Sequence, residues 1–189
     1  MKAKDKIIQA AKNLFFDRGI IKVSITEIIS DANVSKMTFY RNFKNKDELI
    51  LEIVTGISNQ GIQDFKEVIK KEITFQEKLI EVINFKIEYS KHLSLTFLQD
   101  LYSYFSQKDT EVLTALERIK SESNALFVQE ILLAKSKGEI SEDISVEFIM
   151  YMMNKLQEMM NDDHLLHMFS SSEEMTRSIT KFFFFGISK

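Results

Sequence analysis

The sequence predicts an all-α protein of about nine helices. Its 189 residues contain no proline and only five glycines, so residues that make tight turns are scarce. Sandwiches and barrels need a turn about every 8–12 residues, so this composition argues against them. Apolar residues recur at helical spacing along most of the chain, separated by serine, threonine and asparagine where helix caps belong. The length fits one large or two small domains.

The first three helices are predicted from short patterns near the N-terminus. An amphipathic helix of about fifteen residues ends at Gly19, where a C-terminal cap belongs. Ser24 and Glu27 have the S-x-x-E spacing of a capping box, which predicts a short second helix. Asn33 then provides a sharp turn, because asparagine tolerates left-handed backbone angles. Ser35 follows as the N-cap of a third, short helix.

Six longer helices are predicted beyond residue 45. Cap-like pairs open three of them, at Asn45 with Glu48, Thr74 with Glu77 and Ser171 with Glu174. Gly138 ends another. The predicted ranges are 46–71, 74–91, 95–105, 110–136, 145–161 and 172–185.

Charge divides the chain unevenly. The first 46 residues hold 10 Lys/Arg and 4 Asp/Glu, whereas the rest holds 15 and 24. A basic module on an acidic body is typical of proteins that bind a polyanion with one end. The absence of cysteine excludes disulfides, thiol nucleophiles and cysteine zinc sites. With no apolar signal segment and no run of 18 apolar residues, we expect a cytoplasmic protein that does not enter a membrane.

The second and third helices form a helix-turn-helix pattern. Val34, Phe39 and Phe43 are predicted to face inward, which leaves a polar outer face on the third helix. Lysine, arginine and asparagine pair with bases or phosphates, and methionine or threonine contacts a thymine methyl group. A polar surface helix without a DNA role is the alternative. The residues predicted to face outward are Lys36, Met37, Thr38, Tyr40, Arg41 and Asn42.

Residues 24–49, SITEIISDANVSKMTFYRNFKNKDEL, resemble the signature of the TetR family of transcriptional regulators. That signature is roughly T-hydrophobic-x-x-I-A, A-G-V-S-x-x-T-hydrophobic-Y-x-x-F and K-E-x-L. The resemblance covers about the first 50 residues, including Gly19. Two positions depart from it, since Asn33 replaces the usual glycine and Met37 replaces a small residue.

The resemblance implies a ligand-responsive repressor that binds a palindromic operator as a homodimer and is released by an unknown small-molecule effector. It implies a DNA-binding domain over residues 1–46 and a ligand-binding and dimerisation domain over residues 47–189. Tyr40 and Lys46 are assigned to phosphates, with Thr26 near the backbone. The full DNA-binding set is Thr26, Ser35, Lys36, Met37, Thr38, Tyr40, Arg41, Asn42 and Lys46.

Two groups of apolar residues are assigned to the C-terminal domain. The first, expected to line an apolar ligand cavity, could equally be plain core; it comprises Phe85, Tyr89, Phe97, Tyr102, Phe127, Met150 and Met153. The second group holds more apolar residues than one buried helix face needs, which predicts a homodimer through a four-helix bundle. It comprises Phe148, Ile149, Met152, Leu156 and Met159 on one helix, with Ile179 and Phe182–Phe185 on the other.

The sequence gives little support for metal binding or catalysis. His164 and His167 have a spacing compatible with a metal, but we interpret them as solvated residues at a helix end, and we predict no metal or cofactor. We find no catalytic constellation and predict no enzyme activity. The alternatives from other classes are a helical enzyme or carrier that uses the C-terminal cavity, and a helical protein-interaction module.

Overall fold

A computed structural model of the chain describes residues 2–106, 111–159 and 162–185. Within them lie nine helices of at least seven residues, one helix of four and no strand, which confirms the predicted fold class. None of these described helices is both long and apolar enough to cross a membrane. The helices are α1 (Ala3–Arg18), α2 (Ile25–Asp31), α3 (Lys36–Asn42), α4 (Lys46–Ile69), α5 (Phe75–Ser90), α6 (Leu95–Ser106), α7 (Glu111–Ser136), α8 (Val146–Met159), α9 (Asp163–Leu166) and α10 (Ser172–Phe185).

The predicted caps are present where the sequence placed them. The Ser24 hydroxyl accepts from the Glu27 N–H at 3.2 Å, and the Ser35 hydroxyl accepts from the Thr38 N–H at 3.0 Å. Asn33 has φ 50°, the left-handed angle expected for the turn between α2 and α3. These local bonds satisfy N–H groups that the first turn of each helix cannot pair internally.

The chain folds into two compact units, which the predicted boundary after residue 46 does not follow. The first unit comprises Met1–Ser58 with His92–Ala115, and the second comprises Asn59–Lys91 with Leu116–Lys189. The first turns of α4 bury Leu49, Ile50 and Ile53 in the core of the first unit. This packing explains why the first unit extends beyond the short basic segment.

Helix α6 joins the first unit by packing on the end of α1. The Ser94 N–H donates to the Phe16 carbonyl at 2.8 Å, and the Phe16 and Phe97 rings meet edge to face at 4.9 Å. The Asp100 carboxylate accepts from the Ile21 N–H at 2.8 Å. These contacts attach α6 directly to the segment that leads into α2.

The second unit is built around α5. Its Ile83 and Ile87 are buried, and the backbone carbonyl of Ser90 accepts a hydrogen bond from the Ser172 hydroxyl at the start of α10. Lys78 is also buried, and its ammonium donates to Glu130 of α7 at 2.9 Å and to the Ile69 carbonyl of α4 at 2.9 Å. A buried cation is tolerated there because a carboxylate and a carbonyl both accept from it.

Candidate nucleic-acid interface and ligand pocket

Two aromatic side chains fix α3 in the first unit. Phe39 is fully buried, and Phe43 is only 2% exposed. Their ring centroids lie 6.0 Å apart. Because both rings are in the core and Ser35 caps the helix start, the opposite face of α3 is held in a defined orientation.

That outer face presents Lys36, Met37, Tyr40 and Arg41 to solvent. Met37 is 72% exposed and Tyr40 is 47% exposed. Within the described part of the chain, no ion pair or hydrogen bond engages the side chains of Lys36 and Arg41. The face therefore combines two available cations with an apolar and a phenolic group, as base and phosphate contacts require.

Thr38 and Asn42 differ from the prediction that they face outward. Both are half-buried, and the Asn42 amide donates to the Thr38 carbonyl at 2.8 Å. The Thr38 and Ser35 hydroxyls lie 2.8 Å apart in a hydrogen bond. Short polar side chains readily bond to nearby backbone groups, which explains why these three residues stabilise α3 from within. Their assignment to DNA remains a prediction.

Lys46 is engaged within the protein. Its ammonium donates to the Ile20 carbonyl at 2.5 Å and lies 5.7 Å from the centre of the Phe15 ring. The side chain thus ties the start of α4 to the segment between α1 and α2. A phosphate contact by Lys46, as the resemblance implies, remains a prediction and would have to compete with this bond.

Further charges surround α2 and α3. Lys22 and Lys44 are exposed cations that were not assigned individually, although they contributed to the basic charge of the first 46 residues. Thr26 is exposed on the first turn of α2. Hydrogen bonds from the Ser24 N–H and hydroxyl, together with one from Arg18, lower the pKa of Glu27 from 4.5 to about 2. Glu27 is therefore ionised at neutral pH and holds Arg18 at 2.9 Å.

A small apolar pocket lies in the second unit between α4, α5 and α7. Phe127 is 6.1 Å from Phe65 and 6.2 Å from Phe75, measured between ring centroids. The pocket holds about 190 Å³ of space that includes open solvent. The ion pair of Lys78 and Glu130 forms part of its wall. Its lining comprises Phe65, Ile69, Phe75, Lys78, Leu79, Val82, Phe127 and Glu130.

The residues predicted to line a ligand cavity fall into separate places. Phe127 lies in this pocket, whereas Phe97 belongs to the first unit and contacts Phe16. Phe85 and Tyr89 are each 42% exposed on α5, and the Tyr89 hydroxyl donates to Asp64 at 3.0 Å. Burial and this bond to a carboxylate raise the pKa of Tyr89. On α8, Met150 and Met153 are half-buried; the side chain of Tyr102 lies outside the described residues.

Helices α8 and α10 leave large apolar side chains exposed. Phe148 is 56% exposed, Met159 52% and Phe182 65%, whereas Met152 is only 37% exposed and Ile149 is half-buried. The prediction that Ile179 belongs to a surplus outer face is wrong, because α10 packs on α5 and buries Ile179 to 8%. The side chains of Leu156 and Phe183–Phe185 lie outside the described residues.

The histidines after α8 do not assemble with other ligands in the described structure. His164 and His167 are both exposed, and the described residues contain no group of three or more His, Asp or Glu side chains suited to a metal. The His164 N–H instead donates to Asp162 at 2.8 Å. This contact is the ordinary start of a short helix.

Residues 7–53 match the family model of bacterial regulatory proteins of the tetR family. The N-terminal part of this chain is therefore similar to the DNA-binding part of that family. The match includes α2, α3 and the first turns of α4, where the buried and exposed faces described above are formed.

Two curated relatives extend the comparison. The fatty acid metabolism regulator protein of Bacillus subtilis (strain 168) is 33% identical over 90 residues, which are 48% of this chain and 43% of the relative. This chain thus spans less than half of that relative's length. A second relative is the HTH-type transcriptional repressor KstR2 of Mycolicibacterium smegmatis (strain ATCC 700084 / mc(2)155). It is 20% identical over 148 residues, which are 77% of this chain and 71% of the relative.

The same architecture occurs in a solved structure over nearly the full chain. The transcriptional regulator FadR of Bacillus subtilis, in complex with stearoyl-CoA, matches with a TM-score of 0.71 and 20% identity. The match covers 97% of this chain and 99% of the other. At this identity the likeness shows a shared fold, which extends through the C-terminal helices.

Proposed function

We propose that this protein is a ligand-responsive TetR-family repressor that binds a palindromic operator as a homodimer. The observation that carries the proposal is α3, which buries Phe39 and Phe43 while presenting Lys36, Met37 and Arg41 within the matched segment. A helix fixed on one side and cationic on the other suits a major groove. The protein acts by binding, not by catalysis.

The contacts on DNA divide by side-chain chemistry. Lys36 and Arg41 read guanine edges or phosphates, and Met37 contacts thymine methyl groups. Tyr40 donates its hydroxyl to a phosphate, with Thr26 beside it on α2. Ser35, Thr38 and Asn42 act mainly by holding α3 in shape, because their polar groups already bond to one another and to the helix backbone.

Assembly and domain roles follow from the apolar surface of the second unit. The exposed Phe148, Met159 and Phe182 are side chains that a partner subunit would cover. We assign dimerisation to α8 and α10 of each subunit, and DNA binding to residues 1–46 with ligand binding to residues 47–189. A two-fold dimer places two α3 helices on half-sites about one helical turn, or a multiple of it, apart. Such a regulator works in the cytoplasm, where the DNA is.

The effector is a largely apolar small molecule bound in the second unit. The similar FadR structure holds stearoyl-CoA, and the pocket beside Phe65 and Phe127 offers an apolar site of limited size. Helix α4 supplies Leu49 to the first unit's core and Phe65 to this pocket, so it is the proposed route of coupling. A coupling free energy of about 1–3 kcal/mol is typical between two such sites.

Selection of bound duplexes from a random pool tests the DNA-binding half of the proposal. We expect an enriched palindrome, and we expect Lys36→Ala to weaken binding by roughly 1–3 kcal/mol per half-site and to relax preference at one position. Lys120→Ala, which removes an exposed cation of α7, serves as the control and should change neither quantity. A pool that yields no palindrome contradicts the proposal.

A further inference from the structure

Two exposed lysines flank the helix-turn-helix segment. Lys22 lies in the turn before α2, and Lys44 lies in the turn after α3. Each is next to a buried side chain, since Val23 and Phe43 both belong to the core of the first unit. The backbone at Phe43 is extended, and successive side chains of an extended chain point in opposite directions. The buried neighbours therefore keep both lysines at the surface.

Carboxylates fix the backbone of both turns. The Asp100 side chain of α6 accepts from the Ile21 N–H at 2.8 Å, immediately before Lys22. The Glu48 side chain of α4 accepts from the N–H of Lys44 itself at 2.6 Å. Each carboxylate thus bonds to a backbone N–H, and in the described structure neither forms an ion pair with the adjacent lysine. The two turns are held in place without engaging either ammonium.

Lys46 ties the two turns to each other. Its ammonium, on the residue two positions after Lys44, donates to the carbonyl of Ile20, two positions before Lys22. The segment that precedes α2 and the segment that follows α3 therefore meet in the first unit. Over the part of the chain that the structure describes, no ion pair or hydrogen bond engages the ammonium of Lys22 or Lys44. Two available cations thus lie beside a third that is already bonded.

We propose that Lys22 and Lys44 form a phosphate clamp, a pair of cations that binds the DNA backbone beside the groove that α3 enters. This inference rests on the proposed function, because it specifies phosphate contacts of that DNA-binding site. Lysine suits the role, since its ammonium is a point charge that pairs with a phosphate without reading a base. Lys46 contributes the bond to Ile20 that keeps the two turns together, so its two exposed neighbours make the phosphate contacts.

The salt dependence of DNA binding by the full-length protein tests the clamp. Anisotropy of the selected operator and of a scrambled duplex is measured at several salt concentrations. Lys22→Met and Lys44→Met each remove one phosphate contact per subunit. Each should therefore lower the slope of log K against log salt by about 0.9 per contact, or about 1.8 per dimer. Both variants should weaken the two duplexes by the same factor, because phosphate contacts carry no sequence information. Lys22→Arg and Lys44→Arg, which keep the charge, should retain the wild-type slope.

Lys120→Met is the matched control, since it removes an exposed lysine of α7 in the second unit. Its slope should equal that of wild type. An equal fall in slope for Lys120→Met would show that net charge alone is responsible, which contradicts the clamp. A wild-type slope in either Lys22→Met or Lys44→Met contradicts the pairing of the two lysines.

The clamp and the proposed function fail in different ways. If wild type prefers its operator and both methionine variants keep the wild-type slope, the clamp is wrong and the proposed function stands. If wild type binds operator and scrambled duplex equally, the sequence-specific function is wrong. In that case a lower slope in both variants still supports the clamp as a phosphate-binding site.

Discussion

Single residues hold the first unit together across long stretches of sequence. Lys46 bonds to a carbonyl 26 residues earlier, and Asp100 bonds to an N–H 79 residues earlier. Both bonds end on the segment between α1 and α2, at Ile20 and Ile21. The position of α2 therefore depends on side chains from α4 and α6 as well as on its own cap.

Replacing Lys46 separates its structural role from a phosphate contact. Lys46→Met keeps the aliphatic part of the side chain and removes the bond to Ile20, so we expect the free energy of unfolding to fall by about 1–2 kcal/mol. Urea denaturation with an unchanged m-value measures this loss. Lys44→Met, at an exposed neighbouring position, is the control and should not change stability. Weaker DNA binding by Lys46→Met with full stability would instead assign Lys46 to phosphate.

Gly19 is restricted both by its backbone angle and by neighbouring side chains, whereas Gly138 is restricted by its backbone angle alone. Both have positive φ, 86° and 73°, where a side chain is strained. A Cβ at Gly19 would also collide with the Asp100 carboxylate and lie 2.8 Å from Thr96, whereas a Cβ at Gly138 meets nothing within 4 Å. We expect Gly138→Ala to lower stability by about 1 kcal/mol and Gly19→Ala to lower it by roughly 2–4 kcal/mol. Equal losses in thermal or urea unfolding would show that Asp100 does not restrict this site.

At the scale of the element, α2 depends on an ionised cap. Hydrogen bonds lower the pKa of Glu27 to about 2 in the folded protein, against 4.5 for the unperturbed group. A depressed pKa contributes stability that is fully present above about pH 4.5 and is lost as the pH falls towards 2. Glu27→Gln should therefore be less stable than wild type at pH 6, and the difference should shrink as the pH falls from about 4.5 to 2.

Melting temperatures measured between pH 6 and pH 2.5 follow this difference. Glu117→Gln changes an exposed carboxylate of α7 and is the control. A gap between wild type and Glu27→Gln that is constant over this range would contradict the assignment of the pKa shift to the capping box.

Short-range patterns explain why most elements were predictable. Three N-cap hydroxyls, of Ser24, Ser35 and Thr74, each accept from an N–H three residues later. Each cap can therefore be predicted from four consecutive residues. The same proximity explains why Asn42 is half-buried, because its amide donates to the Thr38 carbonyl within the same helix. Ile179 was assigned to an outer face because periodicity gives a helix an apolar side without saying which neighbour covers it.

At the scale of the whole molecule, the apolar surface of α8 and α10 predicts a dimer. Phe148→Glu places a charge on an exposed apolar position that we assign to the interface, so we expect monomers at micromolar concentration and loss of operator binding. Ile80→Glu makes the same change at an exposed position of α5 and should remain dimeric. Light scattering measures both masses, and a monomeric wild-type protein would contradict the proposed assembly.

The exposed face of α3 was more predictable from sequence than the pocket. Lys36, Met37, Tyr40 and Arg41 lie within one helix, so a helical wheel is sufficient to place them together. The pocket instead combines residues from α4, α5 and α7, whose register on one another is a property of tertiary packing.

Fluorescence anisotropy of the selected operator, titrated with and without a bound effector, tests the central claim most directly. The account predicts that the dimer prefers the operator to a scrambled duplex. It predicts that affinity falls with salt by about 0.9 log units per tenfold change for each phosphate contact. A saturating concentration of the effector should then weaken operator binding by roughly 5- to 150-fold. Equal affinity for operator and scrambled duplex, unchanged by any ligand that the protein binds, would contradict it.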